Sequence, residues 1–288
     1  MRLVTYSASG RESFGVLIGD GIVDGPRLLG DEVTTMRQLL AADLLPRLGD
    51  LVANVNTDHA LEDVELLPPV PDPDKLLCVG VNYADHRAET RQKDVPEHPT
   101  IFSRFRDTQV GHNQPVVHPV NTDQLDYEGE VAIVIGRHVR SVSSDEEAMA
   151  AIAGLSCYND LSVRDWQLHN SQWLPGKNFY GVGSFGPALV TMDEFDDLPS
   201  LRLTTRVNGE LLQDATLSQL IFDFPAILRY ITGFTPLQPG DVIATGTPGG
   251  VGLAANPPRF LTLGDVTEIE VTGIGILRNT IVAPQEGE

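Results

Sequence analysis

A strand-dominated α+β fold is what this sequence predicts, and three observations carry the prediction. Apolar runs of strand length recur at residues 76–81, 100–105, 131–135, 201–207, 242–245, 267–271 and 274–281, and they outnumber helical patterns. The two kinds of segment do not alternate regularly, which argues against a doubly wound parallel sheet. The chain also carries 27 glycines and 20 prolines in 288 residues, a punctuation that suits many turns between short elements.

Taken in order, residues 2–6, 14–18 and 21–23 read as short strands, followed by one helical pattern over 36–48. Four prolines in Leu67-Pro-Pro-Val-Pro-Asp-Pro-Asp74 break any regular ladder and force extended chain. A boundary is expected there, between a small N-terminal β domain (1–70) and a larger catalytic domain (71–288). In the larger part, Ser-Ser-Asp-Glu-Glu opens a helix over 144–152, because acids favour the positive end of a helix. Residues 222–231 and the stretch after Tyr83 are the other helical candidates. No internal repeat or low-complexity tract interrupts the pattern.

The 41% hydrophobic content supports a substantial core. A net charge of −20 with pI near 4.6 argues against nucleic acid or an anionic membrane as partner. The first ten residues lack the apolar core of a signal peptide, and no apolar run approaches the ~20 residues of a membrane span. Cys78 and Cys157 each lie in apolar, strand-like contexts, the usual setting of a buried free thiol. These features together lead to the expectation of a cytoplasmic enzyme.

The chemistry concentrates in Asp126-Tyr-Glu-Gly-Glu-Val-Ala-Ile-Val-Ile-Gly136. Side chains alternate faces along a strand, so Glu128 and Glu130 project to the same side. Two carboxylates held together repel and lose solvation, and a hard divalent cation with oxygen ligands compensates both costs. Asp160, after a second apolar stretch, is positioned to close such a set. A solvated strand face is the ordinary alternative for an E-x-E pair. His86 and Glu89 lie three apart on a helix-compatible segment, so a carboxylate there can orient an imidazole as a general base; a structural pair is the alternative. The glycines of Thr245-Gly-Thr-Pro-Gly-Gly-Val-Gly252 do not form a nucleotide-binding pattern. They suit a turn whose amides and Thr247 hydroxyl approach a ligand carboxylate, or an ordinary tight turn. His59, His98, His118, His138 and His169 have no neighbours at ligand spacing and are expected to be structural, and Trp166 and Trp173 to pack.

Val79-Gly-Val-Asn-Tyr83 with His86 and Glu89, Asp126-Tyr-Glu-Gly-Glu130, Asn159-Asp-Leu-Ser-Val-Arg-Asp-Trp-Gln167, Pro175-Gly-Lys-Asn178, Val207-Asn-Gly-Glu210 and Pro239-Gly-Asp-Val-Ile-Ala-Thr-Gly-Thr-Pro-Gly-Gly-Val-Gly252 are weak signals singly. In this order and spacing the chain resembles the fumarylacetoacetate hydrolase family. The resemblance implies a mixed β roll with a small N-terminal β domain, commonly assembled as a homodimer. It implies Glu128, Glu130 and Asp160 as ligands of one Mg²⁺ or Mn²⁺, His86 and Glu89 as the water-activating dyad, and Lys177 as the cation for developing negative charge. Gln167 and Thr247 match substrate-contacting positions, and Tyr83 and Arg104 are added as candidates. Arg104 stands where many members have lysine, and Lys177-Asn-Phe-Tyr180 replaces Lys-Ser-Phe-Asp. His112 is read as capping a loop, with a place in the pocket as the alternative.

The implied activity is hydrolysis of a carbon–carbon bond in an acylpyruvate or related 1,3-dicarbonyl 2-oxo acid. The ion would serve as Lewis acid and His86 as base for water. A decarboxylase or tautomerase on the same scaffold is the rival, and a non-catalytic metal-binding protein the third reading. Arg104 hints at a second anionic group on the substrate, with a solvated arginine on a surface strand as the alternative.

Overall fold

The computed structural model describes residues 1–30, 32–53, 55–89 and 96–284. Its architecture is β-rich and mixed. The larger sheet runs His59–Ala60, Gly21–Asp24, Arg11–Ile18, Arg2–Ala8, Ser184–Thr191, Ile152–Asn159, Gly129–Ile135, Val242–Ala244, Leu76–Gly80 and Thr100–Arg104, with Glu65–Leu67 also on Arg2–Ala8. The smaller five-stranded sheet runs Glu210–Thr216, Arg202–Val207, Val266–Val271, Gly275–Val282 and Val116–Val117. Most pairs are antiparallel; Val242–Ala244 on Leu76–Gly80 and Gly275–Val282 on Val116–Val117 are parallel.

Burial explains the pattern. Gly129–Ile135 and Ile152–Asn159 are buried along their whole length, so Val131–Ile135 is a continuous apolar run and Ile152–Asn159 is mostly apolar or small, with no inside–outside alternation in either. Ile133, Leu155 and Val131 pack with Leu203, Ile269 and Leu277 of the smaller sheet, and the helix Phe224–Phe234 adds its buried residues to the same core. That helix starts where Asp223 accepts the Ala226 N–H (2.9 Å), and it buries Phe224, Ile227, Leu228 and Ile231 at helical spacing. Each such large side chain contributes roughly 1.5–3 kcal/mol on burial.

The first strands join the larger sheet through Arg2↔Val190 and Leu3↔Leu189. Leu3, Phe14, Met36 and Leu39 share one core with Ala132, Tyr158 and Phe185. The proline-rich stretch lies between Glu65–Leu67 and Leu76–Gly80, as its sequence requires. The single helix expected over 36–48 is two, Met36–Ala41 and Leu45–Val52. Asp43 takes a left-handed conformation (φ 53°) and Pro46 opens the second helix, so an uninterrupted ladder is impossible. Among the described residues no helix is long and apolar enough to cross a membrane.

Candidate metal centre and active site

Register creates the acidic cluster. Gly129 pairs with Asn159 across the antiparallel ladder, so Glu128 and Asp160 face each other, and the Asp160 N–H donates to the Glu128 carbonyl at 2.8 Å. Glu130, two residues on, lies on the same face. One ligand oxygen from each of Glu128, Glu130 and Asp160 lies within 4.8 Å of the others, and all three residues are buried. An all-oxygen set of this kind suits a hard divalent cation and disfavours structural zinc.

A chain of charges of alternating sign runs through this cluster. Arg104 Nη1 meets Asp160 Oδ1 at 2.5 Å, and Lys177 Nζ bridges Asp160 Oδ2 (2.6 Å) and Glu128 Oε2 (2.7 Å). Arg164 Nη1 then meets Glu128 Oε1 at 2.7 Å, and its Nε reaches Asp126 Oδ2 at 2.8 Å. Glu130 stands outside this alternation and accepts the Gly246 N–H (2.8 Å). The consequences follow Coulomb's law. Burial raises the Glu130 pKa well above the ordinary carboxylate range, and Asp160 and Glu128 add to it. Burial acts the same way on Glu128, but Lys177 and Arg164 outweigh it and hold Glu128 ionised. Burial would lower the Lys177 pKa, yet Asp160 and Glu128 keep it raised, so the ammonium stays charged. A divalent ion would keep Glu130 ionised; four carboxylates would then face three cations, and the ion would turn the excess of one negative charge into one positive. The donor set therefore fits such an ion and leaves a field that attracts an anionic ligand.

Local structure delivers Lys177. The short helix Leu174–Lys177 lies against Arg164–Gln167, and Gly176 makes the approach possible: a Cβ there would lie 2.3 Å from the Gln167 backbone nitrogen. Lys177 is 2% exposed, with its Nζ 5.1 Å from the centroid of the Phe102 ring.

A cavity of about 330 Å³ opens on the cluster, and Glu128, Glu130, Asp160, Lys177, His86, Glu89, Gln167 and Thr247 all line it. His86 and Glu89 lie on the helix Ala84–Glu89, with His86 Nδ1 3.4 Å from Glu89 Oε2. Glu89 Oε1 accepts the Gly250 N–H at 2.8 Å, tying this helix to the glycine-rich loop. Gly246, at φ 103°, turns that loop so that its amide faces Glu130. The Thr247 hydroxyl donates to the Gly129 carbonyl (2.9 Å) and accepts from Gln213 (2.8 Å), so its proton is already committed. Gln167 Oε1 accepts from Arg164 Nη1 (2.9 Å), which leaves the amide NH₂ for a ligand.

Two candidates are placed elsewhere. Arg104 does not line this cavity; it lies behind Asp160, with further bonds to the carbonyls of Leu161 (3.0 Å) and Val182. Tyr83 is fully buried, bridges to Leu220, and is also absent from the wall. His112 caps a loop, its Nδ1 accepting the Arg278 N–H at 3.1 Å. Tyr180 is 74% exposed. Trp166 packs on Phe179, whereas Trp173, expected only to pack, also forms part of the wall beside Phe102. Arg164 and Asp126 were not singled out from sequence. The available signal was that both belong to charged motifs yet stand beside strongly apolar runs, where an unpaired charge is costly.

Residues 75–282 match the model of the fumarylacetoacetate hydrolase C-terminal domain. A curated relative, the mitochondrial oxaloacetate tautomerase fahd2 of Xenopus laevis, is 39% identical over 98% of this chain and 90% of its own. The fumarylacetoacetate hydrolase of Exiguobacterium antarcticum superposes with a TM-score of 0.87 at 35% identity, covering 99% of this chain and 100% of that one. The maleylpyruvate hydrolase of a Sphingobium strain gives 0.82 at 28% identity, with the same coverage. Sequence match and superposition span both the acidic cluster and the sheets that hold it, and on that basis this chain belongs to the fumarylacetoacetate hydrolase family.

Proposed function

We propose that the protein is an enol–keto tautomerase of small 2-oxo acids that works with one Mg²⁺ or Mn²⁺ per chain. The observation that carries this reading is the meeting, in one cavity of about 330 Å³, of the acidic cluster, a buried ammonium and an imidazole–carboxylate pair. The 39% identity to an oxaloacetate tautomerase over nearly the whole chain favours isomerisation over the carbon–carbon cleavage that the motifs first suggest.

Glu128, Glu130 and Asp160 would hold the ion, whose chemistry is Lewis-acid polarisation of a substrate oxygen. Arg164 and Gln167 offer N–H groups to the substrate carboxylate. The Lys177 ammonium stands beside them to offset negative charge growing on the 2-oxygen. His86 Nε2, the nitrogen turned away from Glu89, takes the enol O–H proton and returns a proton to carbon 3, while Glu89 steadies the transient imidazolium. One proton leaves oxygen and one arrives on carbon, so nothing else is consumed.

The second reading is hydrolysis, favoured by the way the Gly250 amide fixes Glu89, and through it His86, as a base for water. Incubation with enol oxaloacetate and a panel of acylpyruvates, with product identification, separates the two. A tautomerase converts enol to keto acid and leaves acylpyruvates whole; release of pyruvate and a carboxylic acid from an acylpyruvate would establish the hydrolase instead.

A further inference from the structure

We infer that Arg104 and Asp126, the two ends of the alternating charge chain, are positioning residues with divided roles: Arg104 sets Asp160 for the cation, and Asp126 sets Arg164 for the anionic ligand. Neither end lines the cavity, so neither touches a ligand. Both are buried beyond what a merely solvating charge would tolerate: Arg104 is 3% exposed and Asp126 0%.

Each end is fixed from outside the chain of charges. The guanidinium of Arg104 is held by the carbonyls of Leu161 and Val182, so its contact with Asp160 Oδ1 is a rigid one. With Oδ1 clamped on one side and Oδ2 held by Lys177, the carboxylate plane of Asp160 cannot rotate away from Glu128 and Glu130. Asp126 is anchored more fully. Its Oδ1 accepts the N–H groups of Tyr127 (2.9 Å) and Gly252 (2.8 Å), and its Oδ2 accepts Leu253 N–H (2.9 Å) and Arg164 Nε (2.8 Å). Leu253 lines the cavity, as does Arg164, so one carboxylate ties the cavity's loop wall to the guanidinium across from it. Arg164 Nη2 is buried without a hydrogen-bond partner among the described residues, a donor left over once Nε and Nη1 are committed.

Positioning roles for Arg104 and Asp126 give results opposite in sign to those of a plain electrostatic field. Removing the positive charge of Arg104 makes the cluster more negative, and a field effect alone would tighten cation binding. A positioning role makes Arg104→Met bind Mn²⁺ more weakly, by tenfold or more, the range seen when supports of metal ligands are lost (roughly 10–100-fold). Arg104→Lys, which keeps the charge and one bond to Asp160, recovers part of that loss. Removing the negative charge of Asp126 would, as a field effect, tighten anion binding. An amide at 126 cannot accept all four donors, and its NH₂ must face either Arg164 and Leu253 or the Tyr127 and Gly252 amides. Asp126→Asn therefore weakens binding of glyoxylate, a 2-oxo acid that can neither enolise nor be cleaved as a 1,3-dicarbonyl, by about tenfold, and leaves Mn²⁺ affinity within about threefold.

The inference rests on reading the acidic cluster as a cation site, and the experiment separates the two. Isothermal titration of Mn²⁺ alone, then of glyoxylate into the Mn²⁺-loaded protein, is run on wild type, Arg104→Met, Arg104→Lys and Asp126→Asn, each checked for cooperative thermal unfolding. Weaker Mn²⁺ binding in Arg104→Met with recovery in Arg104→Lys, and weaker glyoxylate binding in Asp126→Asn, support the division of roles. Unchanged or tighter Mn²⁺ binding in both Arg104 variants, or unchanged or tighter glyoxylate binding in Asp126→Asn, overturns it while the cation site stands. If Arg104→Met does not fold, Arg104→Lys decides by a Mn²⁺ affinity reduced or equal to wild type. Absence of Mn²⁺ binding by wild type removes both readings.

Discussion

Lys177 holds a buried positive charge between Glu128 (2.7 Å) and Asp160 (2.6 Å) of the acidic cluster. Between Gly176 and Asn178 it reads as a solvated turn lysine, yet it is 2% exposed and bonded to two carboxylates. The charge it offsets grows toward the transition state, so Lys177→Met should lower kcat by about 10²–10³, the cost of losing one such donor. Mn²⁺ affinity should move far less; equal losses in both would mean that Lys177 serves only to hold the carboxylates. The pair His86 and Glu89 makes a graded prediction. His86→Ala should reduce turnover by roughly 10²–10⁴, the range for a lost acid–base group, with Mn²⁺ binding retained. Glu89→Gln keeps the acceptor for Gly250 and should cost less. A larger loss from Glu89→Gln than from His86→Ala, in the same steady-state assay, would reverse the assigned roles.

At the scale of elements, three short helices, one strand pair and the glycine-rich loop build the site. Arg164–Gln167 and Leu174–Lys177 touch through Gly176, and any side chain there must push them apart. Gly176→Ala should therefore cost about 1–3 kcal/mol, the usual penalty of overpacking. It should also lower kcat, because Lys177 moves with its helix; denaturant unfolding and steady-state rates read the two effects. The strand around Glu130 and the helix bearing His86 were legible in sequence, since an apolar run and an i, i+3 pair are local signals. Ile152–Asn159 shows in the sequence only as the apolar, strand-like setting of Cys157, without bounds, and Ser184–Thr191 and Glu210–Thr216 are not legible there as strands. The first is buried on both faces, so its sequence carries no period of two to mark it. The third follows Asn208-Gly209, both at positive φ, a hairpin signal that was present but unused. The Glu128–Asp160 juxtaposition depends on strand register, and register is a long-range property that a single sequence does not print.

At the scale of the molecule, the N-terminal strands and the rest form one continuous sheet and a shared core, so the bonds that hold the N-terminal strands contribute to the stability of the described fold. Asp24 is a point where this can be tested by pH. It accepts from Tyr6, Ser13 and the Arg27 N–H, and although burial pulls its pKa upward, these bonds leave it below the ordinary aspartate value. A depressed folded-state pKa stabilises above the unfolded value near 3.9, and the contribution fades as pH falls through the folded one. Asp24→Asn should accordingly lower Tm at pH 7, and its gap to wild type should close in increasingly acid buffer; a gap that widened on acidification would contradict the assignment. The net charge of −20 is a surface property, whereas the buried cluster carries its own balance, and with a divalent ion that balance turns positive. Everything proposed for the chemistry depends on that ion. The most direct measurement is a calorimetric titration of the metal-free protein with Mn²⁺, alongside Asp160→Asn and His86→Ala. The account predicts one ion per chain, weakening of more than about a hundredfold in Asp160→Asn through loss of a charged ligand, and near wild-type binding in His86→Ala; no binding by wild type, or an unaltered titration in Asp160→Asn, would contradict it.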